Sequence, residues 1–530
     1  GLINEDHEKR GDIAAVKNLQ IFEDVRARRH HVLERAYQSL APERRDLLSK
    51  ISCFRGSMEY AVLKKVFPSP DLDKALLDLR KRGLLQYAGE SQRYDMHPIV
   101  RHYAYDHFTD EKRRKEAHVQ LAMHFVDAMP VTNKNVKTLE DLAPVIELYH
   151  HMVGAGNLDE ALKLFYDRLH KALYYQFGTY QLYAELLRAL FLDGEDKPPR
   201  LKKEFAQGWT LAALGNAYLL NGQSRDAVPI MKNSVLLAEK VSDKKNIAIG
   251  LGNVAYQQLT IGALSAAERD LRRYIELSIE LDIEDENADA HHELGRSLSY
   301  RGNWEEAEKE LSIALNAWEK QKEVQAQSVI WLYRALRFLL MARDNPKSKI
   351  ENLKSSIECA QRALELADED TKQRYSHPRD YVRAHWLLGA AYRMNTELTL
   401  AEENLSKALN LCRQINLVDH EADILLDLAR LRYAQGDFQD AQEKASEALT
   451  ITERSGYVLQ GADVHLMLAT LALEGFRLKV EGGLSDKEAA IFHAEEALRL
   501  ATCDGPPYYY KVAYEEAERM LEMMNASREG

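Results

Sequence analysis

Residues 302–311 read GNWEEAEKEL, and the same plan recurs along the chain in GNLDEALKLF from Gly156, GQSRDAVPIM from Gly222, GALSAAERDL from Gly262 and GDFQDAQEKA from Gly436. Each opens on glycine and places alanine five residues later. TELTLAEENL, from Thr396, keeps the alanine but has threonine at the glycine position. The steps from Gly222 to Gly262, Gly262 to Gly302 and Thr396 to Gly436 are each 40 residues, which makes this an internal repeat. A second shared segment precedes the glycines: WTLAALGNAY from Trp209, AHHELGRSL from Ala290, AHWLLGAAY from Ala384 and ILLDLARLR from Ile424. Leucine then a small residue in one segment, and alanine with a large apolar residue four later in the next, describe paired helices. They approach closely at the small residues, and the i, i+4 neighbours fill the gap.

The Leu-Gly-x-x-Tyr of Leu214–Tyr218 and Leu388–Tyr392, in register with Ala-x-x-x-large-x-x-Ala in the second helix, resembles the tetratricopeptide repeat. The unit here is 40 residues rather than the usual ~34. The resemblance implies an all-α, right-handed superhelix with a concave groove. Between Gly302 and Thr396 a first helix persists in SVIWLYRALRFLL, and an insertion is expected from Asp344 to Ser356. A second insertion, EGFRLKVEGGLSDKE, follows Leu473, and VAYEEAERMLEMM reads as a capping helix.

Of the 530 residues, 45% are apolar and 29% charged, the composition of a folded chain rather than a disordered or membrane one. Cys53, Cys359, Cys412 and Cys503 form no closely spaced pair, which argues against a disulfide framework or zinc knuckle and for a cytoplasmic location. No membrane span or signal peptide is expected. The chain begins with glycine, so further domains are expected upstream. The net charge of −12 is uneven: residues 1–116 carry 23 Lys+Arg against 19 Asp+Glu, and the remainder is strongly acidic. An acidic array is a poor partner for nucleic acid.

Ahead of the repeats, HVLERAYQSL, PERRDLLSKISCF, MEYAVLKKVF and LDKALLDLRKRG read as four short amphipathic helices. LLQYA and RYDMH read as a two-stranded hairpin, and Pro98 as the start of a helix. This head, with Met96-His97 leading into IVRHYAYDHF and then repeats, resembles the C-terminal half of STAND-class signalling ATPases of the NB-ARC and maltose-activator type. The resemblance implies a winged-helix domain over 1–108, linker helices and degenerate first repeats over 109–200, repeats over 201–503 and a cap over 504–530. It also implies an upstream P-loop domain binding ATP or ADP with Mg, whose β-phosphate His97 reaches in the closed state. Pro98 stands where that family commonly has aspartate. The chain has no GxxxxGK[ST], so no cofactor is expected within it and no enzyme is read.

With the Leu-small pair as positions 7 and 8 of each first helix, the resemblance places positions 2, 5, 9 and 12 on the groove. Positions 5, 9 and 12 give a candidate surface of Asn216, Tyr256, His292, Arg296, Trp386, Arg393, Arg430 and Tyr433. Arginine and aromatic side chains together suit a carboxylate, a phosphate or an extended peptide; packing between repeats is the alternative for each. The pairs His30-His31, His150-His151 and His291-His292 lack HExxH spacing and read as surface or groove histidines, with no metal site. The basic clusters ARRHH (27–31), RKRG (80–83) and EKRRKE (111–116) read as solvated helix ends more than as a DNA-reading surface. The expected function is the autoinhibitory, ligand-sensing region of a STAND-type regulator. Its expected partners are a protein or peptide trigger, the upstream nucleotide domain and a homo-oligomer on activation. A constitutive repeat scaffold and a fragment of a transcription regulator are the alternatives.

Overall fold

The structure, a computed structural model, describes residues 33–128, 136–476 and 484–529. The cluster ARRHH and the pair His30-His31 lie outside these. The chain divides into two compact units, residues 1–169 and 170–530. Among the described residues it is all-α apart from one small sheet. No helix among the described residues is long and apolar enough to cross a membrane.

The first unit contains α1 (Pro42–Ser52), β1 (Met58–Glu59), α2 (Tyr60–Val66), α3 (Leu72–Lys81), β2 (Gln86–Ala88), β3 (Arg93–Asp95), α4 (Pro98–Asp106), α5 (Glu111–Ala128), α6 (Ala143–Gly154) and α7 (Leu158–Leu164). In α3 the buried residues are Leu72, Ala75, Leu76 and Leu79, an i, i+3, i+4, i+7 stripe. Arg80 and Lys81 of RKRG occupy its last turn, where cations oppose the helix dipole favourably. The hairpin is present, but with a third strand that the sequence reading lacks: the order is β1-β3-β2, with Met58 opposite Tyr94. Two residues of β1 are too few to show an alternating pattern. The apolar core does not stop at residue 108, since Ala117 and Leu121 of α5 join the cluster of Leu48, Leu76 and Met96.

The second unit opens with α8 (Tyr180–Arg188). Helical hairpins follow: α9 (Glu204–Leu220) with α10 (Ser224–Lys240), α11 (Lys244–Thr260) with α12 (Leu264–Glu280), α13 (Glu284–Tyr300) with α14 (Trp304–Gln321), α15 (Val324–Asp344) with α16 (Lys349–Gln373), α17 (Pro378–Met394) with α18 (Leu398–Gln414), α19 (Val418–Ala434) with α20 (Phe438–Ser455), and α21 (Val458–Leu473) with α22 (Asp486–Thr502). Helix α23 (Lys511–Glu529) closes the stack. The repeat signature has a steric cause. A Cβ on Gly215, Gly295 or Gly389 would lie 2.5 to 2.7 Å from Met231, Leu311 or Leu405 of the paired helix. The signature alanines Ala227, Ala267, Ala307, Ala401 and Ala441 have no exposure at all.

The insertion expected from Asp344 to Ser356 is not a loop. Only a short turn, residues 345–348, separates α15 from α16, and the added residues lengthen those helices to 21 and 25 residues against 17 in most others. The lengthening is in phase with the helical repeat, so it adds turns without breaking the hairpin.

The array also closes on itself. The turn glycines Gly222 and Gly262, with φ of +74° and +77°, sit against Val418 and Val458, which open the first helices five hairpins further on. Gly302 meets Lys511 of α23 in the same way. Tyr457 donates its hydroxyl to the Leu219 carbonyl at 3.3 Å, and Lys511 pairs with Asp344. Gly436 has the same left-handed backbone, φ +81°, with nothing within 4 Å of its missing side chain. Gly436→Ala is therefore expected to cost only the left-handed backbone penalty, about 1–2 kcal/mol. Gly222→Ala adds overpacking against Val418, a further ~1–3 kcal/mol. Urea unfolding of both variants checks this, and equal losses would remove the axial stacking from the account.

Candidate functional site

Inside the array the first helices of the hairpins face one another across a channel. At one end lies a cavity of about 490 Å³. One wall is aromatic: residues Ala172–Gln176 wind in wide turns, with the Phe177 N–H donating to the Ala172 carbonyl at 2.8 Å, and so bring Tyr174 and Tyr175 to the cavity beside His170, Tyr183 and Trp209. A second wall is acidic, from Glu286, Asp289 and Glu293 on α13. His292 lies between two of these acids, 3.5 Å from Asp289 and 3.4 Å from Glu293. Burial opposes its protonation, but the two carboxylates hold it above the ordinary imidazole range. Glu293 is likewise disfavoured as an anion by burial, yet Arg296 and His292 outweigh this and bring it down to about 2.

The third wall is cationic. Arg379 and Arg383 lie one turn apart on α17 and both line the cavity. Among the described residues neither has a carboxylate within 4.0 Å in an ion pair. The hydrogen-bond partners of Arg383 are uncharged, its Nε donating to His420 Nε2 at 2.7 Å and its Nη2 to the Tyr256 hydroxyl at 3.3 Å, while buried Asp419 acts on it as a counter-charge beyond hydrogen-bond contact. His420 can accept because burial, with Arg383, Arg379 and Arg296 around it, holds the ring well below the ordinary range and neutral. Asn216 donates to Asn253 across neighbouring repeats at 3.4 Å, leaving each amide with capacity for a peptide group.

Further along, the channel is filled. Arg296 stacks 4.0 Å from the centre of the Tyr256 ring and pairs with Glu293 at 2.7 Å, beside a void of only about 50 Å³. Beyond it the side chains form one ion network. Trp386 Nε1 and Arg393 donate to buried Asp427 at 2.9 and 3.0 Å, and Arg430 lies 3.4 Å from Asp427 and 3.5 Å from Asp463. Arg343 donates twice to Asp463, at 2.6 and 3.1 Å, and also to Glu516 and the Tyr510 hydroxyl. A void of about 40 Å³ remains.

The eight sequence-derived groove positions therefore separate. Asn216, Tyr256 and His292 line the large cavity. Arg296 borders the void beyond it, stacked on Tyr256. Trp386, Arg393 and Arg430 belong to the closing network, with their polar groups turned to Asp427 and Asp463. Tyr433 is elsewhere, donating to Glu474 at 3.0 Å and packed against Phe438. His97, in the first unit, is exposed and caps α4, its Nδ1 accepting from the Ile99 N–H at 3.3 Å. Arg379, Arg383 and Asp289 are absent from the sequence-derived set. Arg383 and Asp289 occupy position 2 of their helices and were within reach of the same frame; Arg379 is one turn earlier.

Burial also fixes a pH dependence. His170 and His465 are both lowered to about 4, chiefly by desolvation, and His420 lies well below its usual value. Their folded-state pKa values are below the unfolded ~6.5. The unfolded chain therefore takes up protons first as pH falls, and stability is lost from about pH 6.5 down to about 4. Asp289, raised by burial to about 6, acts in the opposite sense, as do Glu147, Asp419, Asp423 and His292, all raised. His118, His124, His150, His151, His377 and His385 are lowered as well, so the lowered histidines outnumber them. The urea midpoint is expected to fall between pH 7 and pH 5, and a constant or rising midpoint would contradict these assignments.

A tetratricopeptide-repeat family model matches residues 380–454, which span α17 to α20. This is a helical-repeat protein of tetratricopeptide type in that segment. No curated protein sequence matches the chain. Among solved structures, a signal transduction ATPase with numerous domains (STAND) bearing a tetratricopeptide repeat sensor, from Pyrococcus horikoshii, aligns over 87% of this chain at 19% identity and a TM-score of 0.40. The chain spans 64% of that protein's length. A Rap protein complexed with competence and sporulation factor aligns over 79% of this chain and 98% of its own at 12% identity and a TM-score of 0.42. The Rap conjugation gene regulator of plasmid pLS20, in complex with the Phr* peptide, aligns over 78% and 96% at 13% identity and a TM-score of 0.38.

Proposed function

We propose that the array is the sensing region of a STAND-type regulator, and that its trigger is a peptide, or a protein's terminal segment, seated in the 490 Å³ cavity with a carboxylate on Arg379 and Arg383. The observation that carries this reading is the pair of guanidiniums lining the cavity, with Arg383 hydrogen-bonded to the uncharged His420 and Tyr256. Arginine's fork matches a carboxylate in two parallel bonds. The acidic wall of Glu286, Asp289 and Glu293 suits a cationic group elsewhere on the same ligand, and the tyrosines and Trp209 suit its apolar side chains.

The head supplies the response. On the resemblance carried by Met96-His97 and the hairpin before it, it is a winged helix that closes over a nucleotide-binding domain belonging to a longer, cytoplasmic protein. ATP or ADP with Mg is that domain's ligand, and His97 reads its phosphate. Trigger binding then frees the head, permits exchange and promotes oligomerisation, which requires that the trigger favour the open state over the closed one.

The test uses a pool of random synthetic hexapeptides in two forms, free acid and C-terminal amide, passed over the immobilised full chain. Enrichment of free-acid sequences is expected, and equal retention of both forms overturns the reading. A gene whose reading frame ahead of Gly1 contains no phosphate-binding loop would leave a constitutive scaffold in place of the sensor.

A further inference from the structure

The first unit carries a cluster that neither the array nor His97 uses. His118 on α5 and His150 and His151 on α6 each place one ring nitrogen within 4.8 Å of the other two. His118 and His151 have no exposure, so the reading of His150-His151 as surface or groove residues does not hold for the second of the pair. The Nδ1 atoms of His118 and His151 are 3.0 Å apart.

Each ring is oriented from outside. The Tyr105 hydroxyl lies 3.1 Å from His118 Nε2. His150 Nε2 donates to the Cys53 carbonyl at 3.0 Å, which leaves its Nδ1 as the lone-pair nitrogen. His151 Nε2 is 3.6 Å from the Glu147 carboxylate, and both atoms are buried with no closer hydrogen-bond partner. A histidine whose outer nitrogen is held by a carboxylate, carbonyl or hydroxyl is the arrangement that aims its inner nitrogen at a metal ion. Room for the cluster comes from Gly154, where a Cβ would stand 2.5 Å from the His118 ring.

We propose that His118, His150 and His151 bind one late-transition divalent cation, zinc fitting best, through their inward-facing nitrogens. Three imidazoles with no oxygen donor select such an ion over magnesium or calcium. Tetrahedral bonds of about 2.0–2.1 Å put ligand nitrogens roughly 3.3 Å apart, so His118 and His151 part by only a few tenths of an ångström on loading. The metal-free pair is bridged by one proton between the two Nδ1 atoms; on loading His118 carries that proton on Nε2, toward the Tyr105 oxygen, so that its Nδ1 lone pair is free for the ion. The fourth position is left to water. All three rings are neutral at neutral pH, held down by burial and by neighbouring charges such as Arg114 beside His118 and Arg55 beside His150. The ion would pin α5 to α6.

His465 and His493 provide an internal comparison: the same Nδ1 to Nδ1 contact, 2.8 Å, with no third metal-ligating group placed with them among the described residues. The full chain, stripped with a chelator and dialysed, is titrated with Zn²⁺ against a chromogenic chelator, and separately with Co²⁺ followed by its visible spectrum. One equivalent should bind. His118→Gln and His150→Gln should each weaken binding by about 100-fold or more, while His465→Gln leaves it unchanged. The proposal fails if no equivalent is retained, if His150→Gln binds like the parent, or if His465→Gln abolishes binding. Should circular dichroism show His118→Gln unfolded, half-buried His150 decides the matter.

Discussion

Arg343→Ala is expected to lower the stability of the array by about 3–5 kcal/mol, the range for removing one partner of a buried ion pair. Arg343 gives two hydrogen bonds to Asp463 on α21 and one each to Glu516 and Tyr510, so its loss strips the strongest partner from a buried carboxylate and unties α23 from α15. Arg430, 3.5 Å from Asp463, and the Tyr510 hydroxyl, at 2.9 Å, remain but cannot replace a doubly bonded guanidinium. The cost lies in the orphaned charge more than in the lost attraction. Replacing both partners with apolar residues, Arg343→Met with Asp463→Leu, should therefore recover much of the loss. Urea unfolding followed by circular dichroism measures the global effect. Hydrogen exchange should show loosened protection first in α21 and α23, because a repeat array frays from its ends when neighbouring contacts weaken. A loss below ~1 kcal/mol would mean that water reaches Asp463 in the folded state.

The same argument changes what Arg393 and Arg430 can report. Counted along the helix they are groove residues, and a charge reversal there looks like a clean test of binding. In three dimensions Arg393→Glu removes the guanidinium that lies 3.0 Å from buried Asp427 and adds a like charge on the same side, so any lost affinity would be mixed with lost folding. Position in the repeat is a local property and legible from one sequence. Neutralisation is not, because Asp427 is 34 residues from Arg393 and 41 from Trp386, and Asp463 is 120 from Arg343.

Fold and site were legible to the extent that local patterns encode them. The hairpins follow from glycine, alanine and leucine spacing, since a misplaced Cβ at Gly295 or Gly389 would strike the paired helix. The long pair α15 and α16 was hidden because a whole-turn extension preserves the helical pattern while displacing the next repeat. Strand β1 was hidden by its length, and the closure of Gly222 on Val418 by a separation no repeat frame records. At the site, the frame already contains Arg383 and Asp289 at position 2. What it lacks is the knowledge that carboxylates meet Arg393 and Arg430 and leave Arg383 to a histidine and a tyrosine.

That difference sets the second large effect. Charged hydrogen bonds contribute about 1.5–3 kcal/mol each, so Arg379→Gln with Arg383→Gln is expected to weaken a free-acid peptide by roughly 10²- to 10⁴-fold. Glutamine keeps a hydrogen-bonding group near His420 and Tyr256, but buried Asp419 loses its two largest counter-charges, so urea unfolding of the double variant accompanies the binding measurement. The discriminating quantity is the coupling between protein and ligand. Amidating the peptide should cost the parent nearly as much as the double substitution does, and should cost the substituted protein almost nothing, since the two changes remove the same contact. Fluorescence anisotropy with the best hexapeptide of the free-acid pool gives all four affinities. Additive losses would show that the carboxylate lies elsewhere in the channel. A loss confined to the double substitution, with amidation harmless, would mean that Arg379 and Arg383 shape the cavity without touching the ligand's terminus.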